Sequence, residues 1–273
     1  MITSRTSLAA LSGRRIDSVR IVTAAPEALP GPLHLLDLLH VRTRDRTVRR
    51  LLLFSAGESV DSLKVVETLR RLREGRIFTD VSLAATDCGP DTPTAITVFT
   101  RDVWTTRPRL TVRATNTNSI GFEERNFLGT GRGISMSLAN DQGRIAAVAS
   151  LSDPALFGRD INANLRYAKY GDGSGARALL QTRERSAYDM WRNALFVAST
   201  RHSADLDTAE YSLRRDVFTG LTGPRVYYDR DKAVYALFGG EYENTLLHVN
   251  SASQLLGPED VERRFRAADI GLG

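Results

Sequence analysis

The residues of this sequence with the greatest capacity for chemistry are its histidines and its single cysteine. None of the histidines stands in the H-E-x-x-H spacing that brings two imidazoles onto one face of a metal-binding helix. This holds for all four, His34, His40, His202 and His248, and we expect structural roles for His34 and His40, which flank the apolar run 35–39. Because Cys88 is the only cysteine, neither an intramolecular disulfide nor a cysteine-based zinc site is possible.

Two glycine-rich stretches also fall short of a chemical motif. Gly129, Gly131 and Gly133 miss the dinucleotide fingerprint, and no parallel β-α-β unit encloses them. The stretch Gly173-Ser174-Gly175 misses the G-x-S-x-G nucleophile turn by one position. Acidic neighbours such as Glu123 and Glu124 cannot be placed opposite another carboxylate from sequence alone. We therefore predict that the protein is not an enzyme and holds no metal and no cofactor.

The bulk composition narrows the function classes further. The 273 residues carry a net charge of +5, but only three of the 37 basic residues are lysines, and the arginines are spread along the chain. No basic cluster interleaved with aromatic residues is present, so nucleic acid is not an expected partner. No apolar run of about 18 residues is present, which excludes a transmembrane helix. It does not exclude a membrane barrel, whose alternating strands give a much weaker hydropathy signal.

The first hundred residues predict a small unit that mixes strands and helices. Asp61 is placed to cap a helix that reaches about Arg73, with Gly75 after its end. Within it, Glu67 and Arg71 form an i,i+4 pair on the predicted solvent side. The predicted apolar side of this helix is Val65, Val66, Leu69 and Leu72. The other predicted elements are a strand over 16–23, a helix over 43–54 capped by Thr43, and strands over 78–84 and 95–100.

After residue 109 the sequence predicts strand after strand, without helices. The glycines at every second position from 129 to 133 predict a tight β-turn, since they disfavour a helix. Further turn signals stand at 140–143, Asp153-Pro154, 171–175 and 220–224. The predicted strands are 110–116, 119–126, 133–140, 144–151, 161–170, 176–184 and 190–200, followed by less distinct runs at 210–218, 225–229, 233–242 and 245–250.

Apolar and polar residues alternate along several of these runs. Ile161, Ala163, Leu165 and Tyr167 would share one face, opposite Asn162, Asn164 and Arg166. Such a strand suits either a barrel with lipid outside and water inside or a soluble sandwich. Asn and Arg on the polar face, and the position of all eight tyrosines at residue 167 or later, favour the barrel.

Five short runs together resemble the BamA/TamA outer-membrane assembly family, which carries the bacterial surface antigen domain. They are Val48–Phe54, Leu69–Leu72, Ile77–Val81, Glu124–Gly131 and Leu151–Gly158. The resemblance covers roughly residues 14 to 200. It implies an α+β POTRA module, of order β-α-α-β-β, followed by an antiparallel transmembrane β-barrel that is present only in part.

The domain boundaries implied by this resemblance divide the chain into three parts. Residues 1–13 would form a loose N-terminus, 14–102 a POTRA-like domain in the periplasm, and 103–273 the N-terminal part of a barrel in the bacterial outer membrane. Such barrels have about sixteen strands, and the late loop motif and aromatic-ended closing strand of the family have no counterpart here. We therefore expect this chain to be a fragment of a longer protein.

The resemblance also implies a function and the residues that serve it. The barrel would insert or translocate other outer-membrane proteins, with the first strand templating a client strand. Its partners would be the lipid bilayer, unfolded outer-membrane or secreted clients, and other subunits of an assembly machinery. The residues concerned are Leu110, Thr111, Arg113 and Asn116 in the first strand, Asn126, Phe127, Leu128, Gly129 and Gly131 in a periplasmic turn, and Asp153, Pro154 and Trp104.

Two other functions remain open from the sequence. One is a two-partner-type secretion or uptake pore dedicated to a single substrate. The other is a soluble β-rich binding module. Trp104 has two interpretations as well, because it could anchor at a membrane interface or pack against the first domain.

Overall fold

The structure, a computed structural model, divides into two compact units. The first comprises Met1–Arg107, Glu124–Gly133 and Phe157–Arg159, and the second comprises Pro108–Glu123, Ile134–Leu156 and Asp160–Gly273. The residues described are 12–28, 31, 40–86, 94–112, 117–141, 144–182, 190–206, 209–229, 232–251 and 259–272. The predicted site residues Arg113 and Asn116, and also His34 and Cys88, lie outside them.

The first unit has the predicted element order β-α-α-β-β. In its three-stranded sheet β3 is central, parallel to β1 and antiparallel to β2. Buried apolar side chains of both helices and all three strands form the core, among them Ile16, Val48, Val65, Leu72, Leu83, Ile96 and Val98. The elements are β1 (Ile16–Ala24), α1 (Asp45–Arg49), α2 (Ser62–Glu74), β2 (Phe78–Thr86) and β3 (Thr94–Asp102).

Helix α2 begins and ends close to its predicted limits, but its buried face differs from the prediction. Asp61 caps it, accepting hydrogen bonds from the amides of Leu63 and Lys64. Val66 is 50% exposed, so the prediction of an apolar side that includes it is wrong. Glu67 and Arg71 are buried rather than on the solvent side. Arg71 Nε lies 3.3 Å from Glu67 Oε1, and this pairing makes burial of both charges tolerable.

Helix α1 is much shorter than the predicted helix over 43–54. Its N-cap is Arg44, which makes no side-chain cap hydrogen bond, and the predicted cap Thr43 is wrong. The Thr43 hydroxyl instead donates to Asp102 Oδ1 at 2.7 Å, while the Thr43 amide donates to Asp102 Oδ2. Tertiary contact with a buried carboxylate therefore replaces the local cap.

A ten-stranded sheet makes up most of the rest of the chain. Its order runs from β4 to β13 with every neighbour consecutive in sequence, so it is an up-and-down meander. Among the described strands β4 and β13 each have one neighbour, and the sheet is open along these two edges. The strands are β4 (Thr106–Val112), β5 (Thr117–Glu124), β6 (Gly133–Asp141), β7 (Arg144–Asp153), β8 (Ile161–Tyr170), β9 (Gly173–Thr182), β10 (Trp191–Leu206), β11 (Ala209–Asp229), β12 (Lys232–Ser251) and β13 (Glu259–Leu272).

The prediction of a turn over 220–224 is wrong, because β11 continues through these residues for 21 residues in all. The predicted runs 233–242 and 245–250 likewise form the single strand β12. Gly223 sits where β11 and β12 approach closely, since a Cβ there would lie 1.9 Å from the carbonyl oxygen of Ala236. The glycine thus serves close backbone approach within a strand, rather than a change of direction.

The two faces of this sheet differ in the predicted way. The register of β7 to β12 aligns Leu151, Leu165, Ala178, Val197, Phe218 and Tyr242 in one cross-strand row. We call the side that carries this row the apolar face; Leu165 and Phe218 on it are 46% and 47% exposed. The opposite side, the polar face, carries Asn162, Asn164 and Arg166 on β8. No helix among the described residues is long and apolar enough to cross a membrane.

Candidate functional site

The edge strand β4 is the element to which the family resemblance assigns client binding. It spans Thr106–Val112, so the predicted start at Leu110 is four residues late. Leu110 is 75% exposed and Val112 is 74% exposed, and Arg109 forms an ion pair with Glu123 of β5. Pro108 lies within β4, which a proline can occupy because an edge strand need not donate every ladder hydrogen bond.

The connection between β5 and β6 is the most constrained predicted segment. It is not the predicted tight turn, because eight residues, 125–132, separate the two strands. Phe127–Gly129 form a single 3-10 turn, in which Leu128 has φ +53°. Gly129 and Gly131 also have positive φ, at +68° and +70°. We call residues 125–132 the β5–β6 turn.

The glycines of the β5–β6 turn lie directly against the backbone and side chains of the first unit. A Cβ on Gly129 would lie 2.3 Å from the carbonyl oxygen of Arg42, and one on Gly131 would lie 2.8 Å from Thr47 Cγ2. Gly129 also accepts two hydrogen bonds through its carbonyl oxygen, from the Arg44 amide at 3.0 Å and from Thr47 Oγ1 at 2.8 Å. Both positions therefore need glycine for conformation and for space.

A buried polar chain connects the β5–β6 turn to the end of β3. Asn126 Nδ2 donates to Thr43 Oγ1 at 2.7 Å, and that hydroxyl donates in turn to Asp102 Oδ1. Asn126 Oδ1 accepts the Gly131 amide at 2.9 Å. Asp102 is fully buried, and His40 Nε2 lies 3.1 Å from its Oδ2. We call Thr43, Asp102 and Asn126 the polar clamp.

Glu124 extends this hydrogen-bonded arrangement toward the start of β4. Its carboxylate accepts hydrogen bonds from the hydroxyls of Thr105 and Thr106, and from the Asn126 amide at 2.6 Å. A small cavity of about 160 Å³ lies beside these groups, lined by His40, Val41, Thr105, Thr106, Glu124, Asn126, Phe127 and Leu128. The polar groups that line it are largely hydrogen-bonded to one another, which indicates a structural role rather than a ligand pocket.

The predicted residues Asp153 and Pro154 belong to a second turn of the same design. Asp153 Oδ1 accepts the Ala155 amide at 3.0 Å, which starts the turn after β7. Leu156–Gly158 then form a 3-10 turn with Phe157 at φ +55° and Gly158 at φ +73°. Phe157 is 85% exposed. The two turns therefore share a large apolar residue in left-handed conformation followed by glycine.

Trp104 contacts residues of the first unit, which favours the second of its two interpretations. Its ring centroid lies 5.7 Å from that of His40. Its indole Nε1 is buried and has no hydrogen-bond partner among the described residues. Trp104 and Asp102 of the polar clamp thus both lie close to His40.

Two groups of the first unit, Glu58 and Arg70, have shifted pKa values, and neither belongs to the β5–β6 turn or the polar clamp. The pKa of Glu58 is lowered by hydrogen bonds from Ser55 and Lys64, with burial opposing weakly. The pKa of Arg70 is raised, chiefly by its hydrogen bonds to Glu67. Since the folded pKa of Glu58 is depressed, its contribution to stability is present above its ordinary pKa near 4.5 and is lost as the pH falls through the depressed value.

Sequence reasoning identified the β5–β6 turn but not the buried groups that hold it. Asp102 carried the available signal, because it is the last of five alternating buried positions on β3: Thr94, Ile96, Val98, Thr100 and Asp102. A carboxylate in the buried phase of a strand requires hydrogen-bond donors. The donor Thr43 lies 59 residues away, and nothing in the sequence joins the two.

Three solved structures show what this chain is similar to. CdiB from Acinetobacter baumannii matches with a TM-score of 0.51 and 12% identity, covering 94% of this chain and 53% of that one. BamA from Haemophilus ducreyi lacking POTRA domains 1-3 matches at 0.45 and 13%, covering 88% and 56%. CdiB from Escherichia coli matches at 0.38 and 12%, covering 92% and 50%.

These matches concern the fold. No family model matches the sequence, and no curated protein is significantly similar to it. The chain spans about half the length of the solved structures that it matches. The class that emerges is that of an antiparallel β-sheet protein whose ten-stranded sheet has the fold of a partial β-barrel of the CdiB kind.

Proposed function

We propose that this chain is part of a bacterial outer-membrane protein that inserts or transports other proteins. The ten-stranded sheet would be part of a transmembrane barrel, and the first unit would be a POTRA-like module in the periplasm. The observation that carries the proposal is the apolar face, whose central row is continuous over six neighbouring strands. A water-soluble protein would have to bury such a face against other protein, whereas in a membrane the acyl chains of the bilayer cover it.

The dimensions of the apolar face support placement in a bilayer. On β8 its apolar positions run from Ile161 to Tyr167, and the next position on that face is Lys169. Six residues of strand correspond to about 20 Å, which is about 15 Å of height at the 35–45° tilt of barrel strands and covers the centre of their roughly 25 Å apolar band. The whole of β8, with ten residues, has the length of a tilted transmembrane strand. Strands β11 and β12, with 21 and 20 residues, are long enough to continue beyond the hydrocarbon.

In this proposal the edge strand β4 templates client strands. Strand addition needs an exposed edge that offers main-chain hydrogen bonds, and β4 has one neighbour among the described strands. Pro108 removes one donor and would weaken any permanent partnership at that edge. The mechanism is exchange of hydrogen-bonded strands, and no covalent step is proposed.

The first unit would bind extended segments by the same principle. Its sheet has β1 and β2 at its edges. The start of β1 is already occupied, because the Ile16 amide donates to Glu58 O at 2.8 Å and the Gly57 amide donates to Ile16 O at 2.7 Å. We therefore assign client or partner binding to β2.

A secretion or uptake pore is the second candidate, and the polar face favours it. Ser135 and Ser150 are hydrogen-bonded there at 2.7 Å, and Arg215 pairs with Glu243 at 2.8 Å. A surface of paired polar groups would suit passage of a hydrated polypeptide through the barrel. This candidate shares the membrane location with the first and differs in the surface that the client touches.

Site-specific photocrosslinking in bacteria that express the chain separates the candidates. A photoreactive amino acid replaces Leu110 on β4, Ser150 on the polar face or Val197 in the interior strand β10. Adducts to unfolded outer-membrane proteins at position 110 alone support strand templating, and adducts at 150 alone support the pore. Equal labelling at all three positions, or recovery of the chain from the soluble fraction, contradicts the membrane proposal and leaves the soluble binding module.

A further inference from the structure

The apolar face ends, on one side, in a row of basic residues. The register aligns Lys169 of β8 with Ser174, then Arg201 of β10, then Arg214 of β11. We call Lys169, Arg201 and Arg214 the basic row. All three side chains are exposed, and they lie on the same side of the sheet as Leu165 and Val197.

Two of these three cations have no ion-pair partner in the part of the chain that the structure describes. Arg214 Nε is already paired with Asp216 Oδ2 at 2.8 Å. Lys169 and Arg201 form no ion pair with any residue that the structure describes. They lie two strands apart, about 10 Å, a spacing that one phosphate-bearing headgroup or two adjacent ones can bridge.

A groove on the apolar face leads to Lys169. It has a volume of about 640 Å³, and its lining includes Phe122, Met136, Ala147, Ala149, Tyr167 and Lys169. The small side chains of Ala147 and Ala149 lie between the larger ones of β6 and β8. A second groove of about 490 Å³ lies on the other side of Tyr167, with Ala176 and Ala178 in its lining. Each groove is apolar along its length, as an acyl chain requires.

The basic row stands at the height where lipid headgroups would be. Lys169 is four residues beyond Leu165 of the central apolar row, which is about 13 Å along the strand. At the 35–45° tilt of barrel strands this is about 10 Å of height, close to half of the roughly 25 Å apolar band of an outer-membrane barrel. Cations at that height would contact phosphates rather than acyl chains, and each would contribute favourably to binding an anionic lipid.

We infer that Lys169 and Arg201 bind the phosphate of an anionic membrane lipid whose acyl chains lie in the two grooves beside Tyr167. This inference rests on the proposed membrane location. It adds a lipid site on the outer surface of the barrel, separate from the client-binding edge β4. The occupant is a lipid rather than a free phosphate, because the cations and the grooves act together.

The test compares two double variants of the full chain that lose equal charge. Lys169→Gln/Arg201→Gln removes two cations of the basic row. Arg166→Gln/Arg177→Gln is the matched control. These two arginines pair across the neighbouring strands β8 and β9 and lie on the polar face. Each protein is inserted into mixed micelles of phosphatidylglycerol and phosphatidylcholine, and the retained lipids are counted by native mass spectrometry.

We expect the unaltered chain and the control to retain phosphatidylglycerol in preference to phosphatidylcholine. In the basic-row variant this preference should fall roughly tenfold. Equal preference in the basic-row variant, or an equal loss in the control, would overturn the site. Free inorganic phosphate that displaces the lipid would show that the grooves contribute nothing. Flotation of all three proteins with phosphatidylcholine liposomes reports insertion separately, so a failure of the membrane proposal is distinguishable from a failure of the lipid site.

Discussion

Individual residues determine whether the β5–β6 turn can form, and Gly129 is the most demanding of them. Its positive φ disfavours any residue with a side chain, and a Cβ there would also lie only 2.3 Å from Arg42 O. Gly75 offers a contrast within the same unit, since the nearest atom to a Cβ there is 3.6 Å away and its φ is −61°. The same substitution should therefore have very different consequences at the two positions.

We predict that Gly129→Ala lowers the free energy of unfolding of the first unit by at least about 2 kcal/mol, because the backbone must leave the left-handed region or shift away from Arg42. Urea titration in a Trp191→Phe background measures this, since Trp104 is then the only tryptophan and belongs to the first unit. Gly75→Ala in the same background is expected to stay within about 0.5 kcal/mol. Equal midpoints for both alanine variants would contradict the account of the turn.

The polar clamp makes a second prediction at this scale. Thr43→Val removes a donor to buried Asp102, and Asn126→Ala leaves the Gly131 amide without its acceptor. Each should cost about 1–3 kcal/mol in the free energy of unfolding. Because one hydroxyl links both partners, the double variant should cost less than the sum of the two single variants. Strict additivity in the same urea titration would show that the three residues do not act as one network.

At the scale of elements, the alternation of the strands was predictable and their continuity was not. The odd positions of β8 could be assigned to one face because a strand's side chains alternate with period two. The glycines at 220 and 223 predict a turn, since sequence alone does not distinguish a glycine that changes chain direction from one that admits a neighbouring backbone. Gly223 belongs to the second kind, and its neighbour Ala236 lies in the next strand.

The same limit explains the errors in the first unit. Asp61 works as a cap through its own local amides, so the start of α2 could be read from sequence. Thr43 looked equally suitable, but its side chain is held by Asp102 and Asn126, both distant in sequence. Local signals are sufficient where the partners are local.

The alternation of β8 yields a matched pair of substitutions. We predict that Leu165→Arg destabilises the bilayer-inserted chain by about 2–4 kcal/mol, because a charge on the lipid side lies near the centre of the apolar band. Asn164→Arg introduces the same side chain one position away on the polar face and should change stability by less than about 1 kcal/mol. Urea-dependent release from phosphatidylcholine liposomes measures both. Similar losses for the two variants would mean that the faces do not differ in environment.

At the scale of the whole molecule, the chain has a small α+β unit and a sheet with one apolar and one polar side. The resemblance to the BamA/TamA family anticipated a partial β-barrel, which the match to CdiB from Acinetobacter baumannii supports at the level of fold, although 12% identity leaves function to be tested on this chain itself. Strand templating at β4, the pore and the lipid site all require that the apolar face contact acyl chains. That requirement is therefore the central claim.

Spin-label accessibility along β8 tests it most directly. In a Cys88→Ser background, single cysteines are placed from 162 to 168, labelled with a nitroxide and reconstituted in lipid bilayers, and collision rates are measured with oxygen, which concentrates in lipid, and with a water-soluble nickel complex. The account predicts that labels at 163, 165 and 167 collide mainly with oxygen, and that those at 162, 164 and 166 collide mainly with the nickel complex. Equal exposure of both sets to water, or no oxygen preference at 165, would contradict it.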